Sequence, residues 1–245
     1  VKLWEPIENE ADGSARLYTR AGDVTNELVY HGRTFLRIAV NCPELTSQTD
    51  IPAFSAKYLP EHLRVDDFLI LSAEDLSIVQ QRYYEKEGLA VSWSSKLLYW
   101  LFAYRGDRVG FYSDRSCMEV AVLECGILKI LFVAAVGLVE KVAGKKGWMW
   151  KMAGEKLRRI RPGREKNQNL VLLCPDHKEV LVDKIAFHAS CRTVLMDLHS
   201  PTGKAEILAS SESLLPEEEL IELMTEAPML LYNGRTSFCI IRAKV

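Results

Sequence analysis

The chain has 245 residues, 48% hydrophobic and 26% charged, with a formal net charge of −2, the balance of an ordinary globular protein with ample surface to bury on folding. A peptide or disulfide miniprotein is excluded, and no Pro-, Gly- or Ser-rich tract marks a disordered linker. Cys42, Cys117, Cys125, Cys174, Cys191 and Cys239 are scattered without a CxxC pair, mostly inside apolar runs, which predicts reduced core thiols and a cytoplasmic setting.

Residues Val1 to Gly32 carry no pattern that assigns them a role. Thr34 to Val40 and Asp67 to Ser72 are β-prone runs, and the second leads into AEDLSIVQQRYYEKE. That stretch reads as a helix with Leu76, Val79 and Tyr83 on its apolar stripe and Glu74, Gln81, Arg82 and Glu85 left outward. SSKLLYWLFAYRGD predicts a helix ended by Gly106, and a long amphipathic helix is expected from about Met118 to Val142 with Gly144 as its stop. Within it, CGILKILFVAAVGLV is the stretch most like a membrane span. Its apolar portion after Lys129 falls far short of the roughly 20 residues a bilayer needs, so a buried helix and no membrane partner are expected. No basic start, apolar stretch and small-residue cleavage site stand at the N-terminus, so no secretory signal is read.

Leu170 to Cys174 predicts a strand ended by Pro175, and DHKEVLVDKIAFHAS a helix with Asp176 as its N-cap. Thr193 to Met196 and Ala205 to Leu208 read as strands about the turn DLHSPTGK. PEEELIELMTEA opens a helix with three glutamates where the dipole favours negative charge, and Phe238 to Arg242 reads as a last strand. Strands and helices alternating irregularly predict an α+β or mixed α/β architecture. His188 and Cys191 make one HxxC pair with no second pair at ligand spacing, so structural zinc is not expected.

The segment Gly144 to Lys166 sets nine Lys or Arg against Glu155 and Glu165. Its glycines, Gly144, Gly147, Gly154 and Gly163, allow close backbone approach, and Trp148 and Trp150 offer flat faces for stacking. Such a surface suits a polyanion: a phosphate-bearing small molecule, an oligoglutamate tail or a nucleic-acid backbone. The plain alternative is a solvated basic helix with two core tryptophans.

The phosphate-binding GxxxxGK[ST] loop, the GxSxG elbow and a dinucleotide fingerprint are all absent. What remains for chemistry is acidic and amide residues at predicted element ends: Asp114, Glu124, Asp197, His199, Glu206 and the pair Asn167 and Asn169. Carboxylates so placed can hold a hard cation beside phosphates, or serve as caps and turns.

The portions DDFLILSAEDLSIVQQRY, MEVAVLECGILKILFVAAVGLVEKVAGKKGWMWKMAG, NLVLLCP and FCIIR together resemble the coenzyme F420-0:L-glutamate (γ-glutamyl) ligase family over roughly Phe35 to Arg242. The middle portion is the most specific, keeping Glu124, Gly126 and the spacing of Gly144, Gly147 and Gly154. The resemblance implies mixed sheets with flanking helices in a ligase-like domain over residues 33–245, of one piece or two lobes, after an unassigned extension over 1–32. It implies a ligase that uses ATP or GTP with Mg²⁺ or Mn²⁺ to join L-glutamate to a folate or deazaflavin acceptor through an acyl phosphate, working as a homodimer. Carried onto this chain, Lys145, Lys146 and Arg158 would compensate the transferring phosphoryl charge. Gln80, Arg82, Gly144, Gly147, Trp148 and Asn169 would contact nucleotide or acceptor, and Glu124 and Asp197 would hold metal. The chain departs from the family at Glu74 and Gln81, where Lys and Gly are usual, and at DLHSPTG, which keeps Asp197 and substitutes His199 and Ser200. These departures favour a folate acceptor over the deazaflavin. The competing readings are a non-catalytic family member and a binder of anionic ligands such as nucleic acid, against which the net charge of −2 and the acidic run Glu217 to Glu222 weigh.

Overall fold

A computed structural model describes residues 4–7, 17–20, 24–40, 42–43, 45–59, 63–64, 66–106, 108–144, 147–163, 167–198, 205–212, 216–225 and 237–244. In chain order its elements are β1 (Trp4–Ile7), β2 (Leu17–Arg20), β3 (Val24–Tyr30), β4 (Arg33–Ala39), α1 (Ile51–Tyr58), β5 (Phe68–Ser72), α2 (Ala73–Val79), β6 (Tyr83–Glu85), α3 (Trp93–Leu101), α4 (Arg115–Cys125) and α5 (Ile127–Ala143). There follow α6 (Trp148–Arg158), β7 (Arg161–Pro162), β8 (Leu170–Leu172), α7 (Lys178–Ala189), β9 (Arg192–Asp197), β10 (Glu206–Ser210), α8 (Glu217–Thr225) and β11 (Phe238–Lys244). The architecture is mixed α/β, with eight helices among the described residues, a six-stranded mixed sheet and a three-stranded antiparallel sheet. The chain divides into two units, one of Val1–Val79, His177–His199 and Lys204–Val245, the other of Gln80–Asp176 and Ser200–Gly203.

The first unit is built on the sheet β10-β9-β5-β11-β4-β3, antiparallel except where β5 runs beside β9. Successive side chains point to opposite faces, and since both faces are covered the central strands are buried almost throughout. Leu36, Ile38, Leu69, Leu71 and Ile240 point to one core with Ile51, Leu76, Val182 and Ile185 from α1, α2 and α7. Phe35, Ala39, Ile70, Val194 and Ile241 point to another with Leu220, Leu223 and Met224 of α8. Asp67, just before β5, takes both arms of the Arg242 guanidinium on β11, at 2.9 and 2.6 Å, and the pair is buried. Arg37 on β4 donates to the Leu223 carbonyl near the end of α8 at 3.0 Å, where a cation meets the negative end of the helix.

The second unit packs α3 to α6 and the sheet β6-β8-β7 around an aromatic centre. Phe102 and Tyr112 stack at 5.0 Å, Tyr112 and Trp150 at 5.6 Å, and Phe111 stands edge-on to all three. Helix ends follow local chemistry: Ser92 caps α3, Asp114 caps α4, and Gly144 ends α5 with φ 66°. Gly147, ahead of α6, offers no side chain to cap it, and the buried carboxylate of Glu140 on α5 accepts from the Met149 amide at 2.7 Å instead. Arg105, 3.5 Å away, supplies the counter-charge.

Several elements differ from expectation. The helix predicted over 73–87 stops at Val79; the chain turns through Gln81 at φ 55°, and Tyr83–Glu85 pair with β8 as a strand. The long helix from Met118 is two helices, broken at Gly126 and bent by 117°. Asp176 does not cap α7: His177 takes that position in a left-handed conformation, with no side-chain cap bond. Helix α1, with Asp50 as its cap, escaped prediction, as did β3, which pairs with β4 along its length from within the unassigned N-terminal region.

Candidate functional site

The second unit brings together side chains from three distant stretches. Arg82 leaves the turn after α2 and approaches the segment that follows β8, with its Nε 3.4 Å from the Cys174 carbonyl and 3.1 Å from an Asp176 carboxylate oxygen. Tyr84, on β6, donates its phenol to Glu124 Oε1 at 2.9 Å. Glu124 stands in the last turn of α4, and its other oxygen lies 2.9 Å from Lys156 Nζ of α6, which also donates to the Glu124 carbonyl at 2.8 Å.

The electrostatics follow from those contacts. Burial alone would raise the Glu124 carboxyl, but the bonds from Lys156 and Tyr84 and the charges of Lys156 and Arg82 outweigh it and hold the group below its ordinary value. The same bond to Glu124 raises the Lys156 ammonium and, reinforced by burial, the Tyr84 phenol. The result is an ionised carboxylate with both oxygens engaged, beside a half-exposed ammonium and a guanidinium shared with Asp176. Lys156 and Arg82 are the cations this cluster could offer to an anionic ligand, while both Glu124 oxygens are already engaged.

The remaining candidates have varied fates. Gln80 lies in the same neighbourhood, donating to the Asp176 carbonyl at 2.8 Å and accepting from its amide at 2.7 Å, so its amide ties the two ends of this unit together. Asn169 is exposed and lends its backbone carbonyl to the Lys86 amide at 2.8 Å. Arg158 is half-buried in the last turn of α6, and Arg159 and Arg161 are buried, so this part of the basic segment is not a solvated face. Lys145, Lys146, His199 and Ser200 lie outside the described residues.

Of the two indoles expected to stack on a ligand, Trp148 is exposed while Trp150 is spent on the core against Tyr112. The glycines also work differently from expectation. A Cβ at Gly144, Gly147 or Gly154 would meet nothing within 4 Å, so their positive φ, not close approach, calls for glycine; at Gly163 a Cβ would run into the Asn167 backbone.

In the first unit, Asp197 is buried at the end of β9, and the β9–β10 register sets it directly opposite Glu206. Two of the carboxylates named at strand ends thus face each other at one end of the β9–β10 pair. Among the described residues no group of three or more His, Cys, Asp or Glu is placed to hold a metal. The sequence did not single out Tyr84, Lys156 or Asp176 for this site; Tyr84 and Glu124 are 40 residues apart, and β6, read as helix in the sequence, carries Tyr84 to that contact.

Fold and cluster define a mixed α/β protein whose second unit presents a fixed carboxylate among cations. Set against protein-family models and against curated proteins, the chain matches none.

Proposed function

We propose that the chain is a diverged γ-glutamyl ligase of the coenzyme F420 type, extending a folate or deazaflavin acceptor with L-glutamate. The observation that carries the reading is the meeting of three of the resembling portions. Arg82 comes from the first, Glu124 from the second and Cys174 from the third, and Arg82 both contacts the Cys174 carbonyl and acts electrostatically on Glu124.

In this reading an acceptor γ-carboxylate oxygen attacks the terminal phosphorus of ATP or GTP, and the nucleoside diphosphate leaves. The amine of L-glutamate then attacks the acyl carbon, phosphate departs with the bonding pair, and the amine proton passes to solvent. Lys156 and Arg82 hold the anionic groups, so positioning and charge compensation do the work. Mg²⁺ or Mn²⁺ would offset the phosphate charge when bound, but Glu124, with both oxygens already engaged by Tyr84 and Lys156, suits such an ion poorly. A second reading, a family member without turnover, is favoured by the ion pairs Arg82–Asp176 and Lys156–Glu124, which leave these two cations less charge to set against a transferring phosphoryl group.

Purified protein with ATP or GTP, Mg²⁺ or Mn²⁺, L-glutamate and either tetrahydrofolate or the deazaflavin precursor separates these readings by mass spectrometry. A nucleotide-dependent glutamyl mass increment is expected on one acceptor. Nucleotide binding with neither acceptor extended supports the second reading and sinks the first.

A further inference from the structure

Core packing accounts for one side of α5 and leaves the other in water. Ile130, Val133, Ala134, Gly137 and Glu140 are buried. Leu128, Leu131, Phe132, Leu138, Val139 and Val142 are exposed, Leu128 by 83% and Val142 by 89%. Their spacing of three and four residues sets them on one stripe. The buried helix expected here is therefore buried on one face alone. Trp148 and Met152 of α6 continue the apolar surface around a groove of about 510 Å³ that also takes in Ala135, Val136 and Lys151. Eight such side chains, each leaving on the order of 100 Å² in water, exceed the few hundred Å² of apolar patch that a soluble monomer ordinarily shows.

The charges on these two helices are mostly of one sign. Lys129 and Lys141 belong to α5 and Lys151 to α6, where Lys156 is offset by Glu124 of α4, and in sequence Lys145 and Lys146 stand between the helices. Of the acids on the two helices, Glu140 is buried at the start of α6 and only Glu155 is exposed. A second copy of the chain seated on the same stripe about a two-fold axis would bring lysines against lysines. An apolar interior beneath an anionic surface satisfies both features. Exposed indoles fit that occupant: Trp148 here, and Trp93 and Trp100 on α3, 76% and 72% exposed, with α3 packed on α5. Indoles favour the headgroup level, where an apolar ring and a wet N–H are both accommodated. Because the opposite face of α5 is buried against the core, the fitting geometry is a helix lying in the interface.

We infer that the α5 stripe, with Trp148 and Met152 of α6, docks on an anionic phospholipid bilayer, the apolar side chains at the acyl boundary and the lysines at phosphate level. The test is co-sedimentation of the full chain with vesicles of phosphatidylcholine alone or of an equimolar mixture with phosphatidylglycerol. Binding to the mixed vesicles is expected, falling with added salt, and each of Lys141→Ala and Lys151→Ala weakens it about fivefold. Leu128→Asp with Val142→Asp abolishes binding without lowering the thermal midpoint, since both side chains already face water. Absence of binding to the mixed vesicles, or equal binding to both kinds, overturns the proposal. So does light scattering that shows a dimer which the double variant splits, because a second copy then covers the stripe. None of these outcomes depends on ligase activity.

Discussion

Glu124 is one of three carboxylates along α4 whose environments hold them ionised. Asp114 and Glu119, like Glu124, are pushed up by burial and brought down further by their donors, Lys86 and the Cys117 amide for the first and Ser92 and Ser95 for the second. A carboxyl depressed in the folded state contributes stability that is whole above its unfolded value, near 4, and lost as the pH falls through the folded value. Lys156→Met should therefore lower stability by about 1 kcal/mol near neutral pH, the upper end for a partly exposed pair. The loss should be smaller at about pH 3, below the unfolded value, because the pair weakens as Glu124 begins to take up its proton. Urea midpoints at the two pH values check this, and an equal loss at both would mean that Lys156 matters through packing. Gln80, Arg82 and Glu124 stood out in the sequence because each sits in a stretch that carries the resemblance. Tyr84 and Lys156 did not, since their roles arise from contacts across 40 and 32 residues.

Elements were legible where one pattern ran from cap to cap and obscure where a single residue overrode it. The apolar spacing of α4 continues into α5, so periodicity alone reads one helix; the break is a backbone conformation at Gly126, φ 81° and ψ 153°. Gly154 divides α6 in the same way at φ 75° and ψ 169°. Both lie in a region that is essentially confined to glycine. Gly126→Ala and Gly154→Ala should each cost about 1–3 kcal/mol, seen as a lower thermal midpoint. Gly144→Asn should cost far less, because asparagine tolerates the left-handed helical conformation found there. A neutral Gly126→Ala would mean that α4 and α5 join without this conformation. Tyr83 failed differently: it completes the stripe begun by Leu76 and Val79, yet the ladder to Leu172 claims it for β6. Tertiary pairing there outweighs a weak local preference.

At the scale of the whole molecule, the connection between the parallel neighbours β5 and β9 contains almost all of the second unit. No local pattern announces such an insertion, because its ends are 96 residues apart in sequence yet joined by the two hydrogen bonds between Gln80 and Asp176. Adjacent ends are what lets one domain sit inside another, and a core of its own is what lets the inserted piece fold independently. Leu98, Phe102, Phe111, Tyr112, Met118, Ile130, Trp150 and Leu157 supply that core entirely from within residues 80–176. Residues 80–176 produced alone are expected to unfold cooperatively on heating, by circular dichroism and by tryptophan emission, which Trp150 makes sensitive to the aromatic centre. A fragment with the dichroism of a random coil would show that the core needs the rest of the chain. A folded fragment carries α3, α5 and α6 together, so it should also retain the preference for anionic vesicles, and loss of that preference in a folded fragment would place the lipid contact elsewhere.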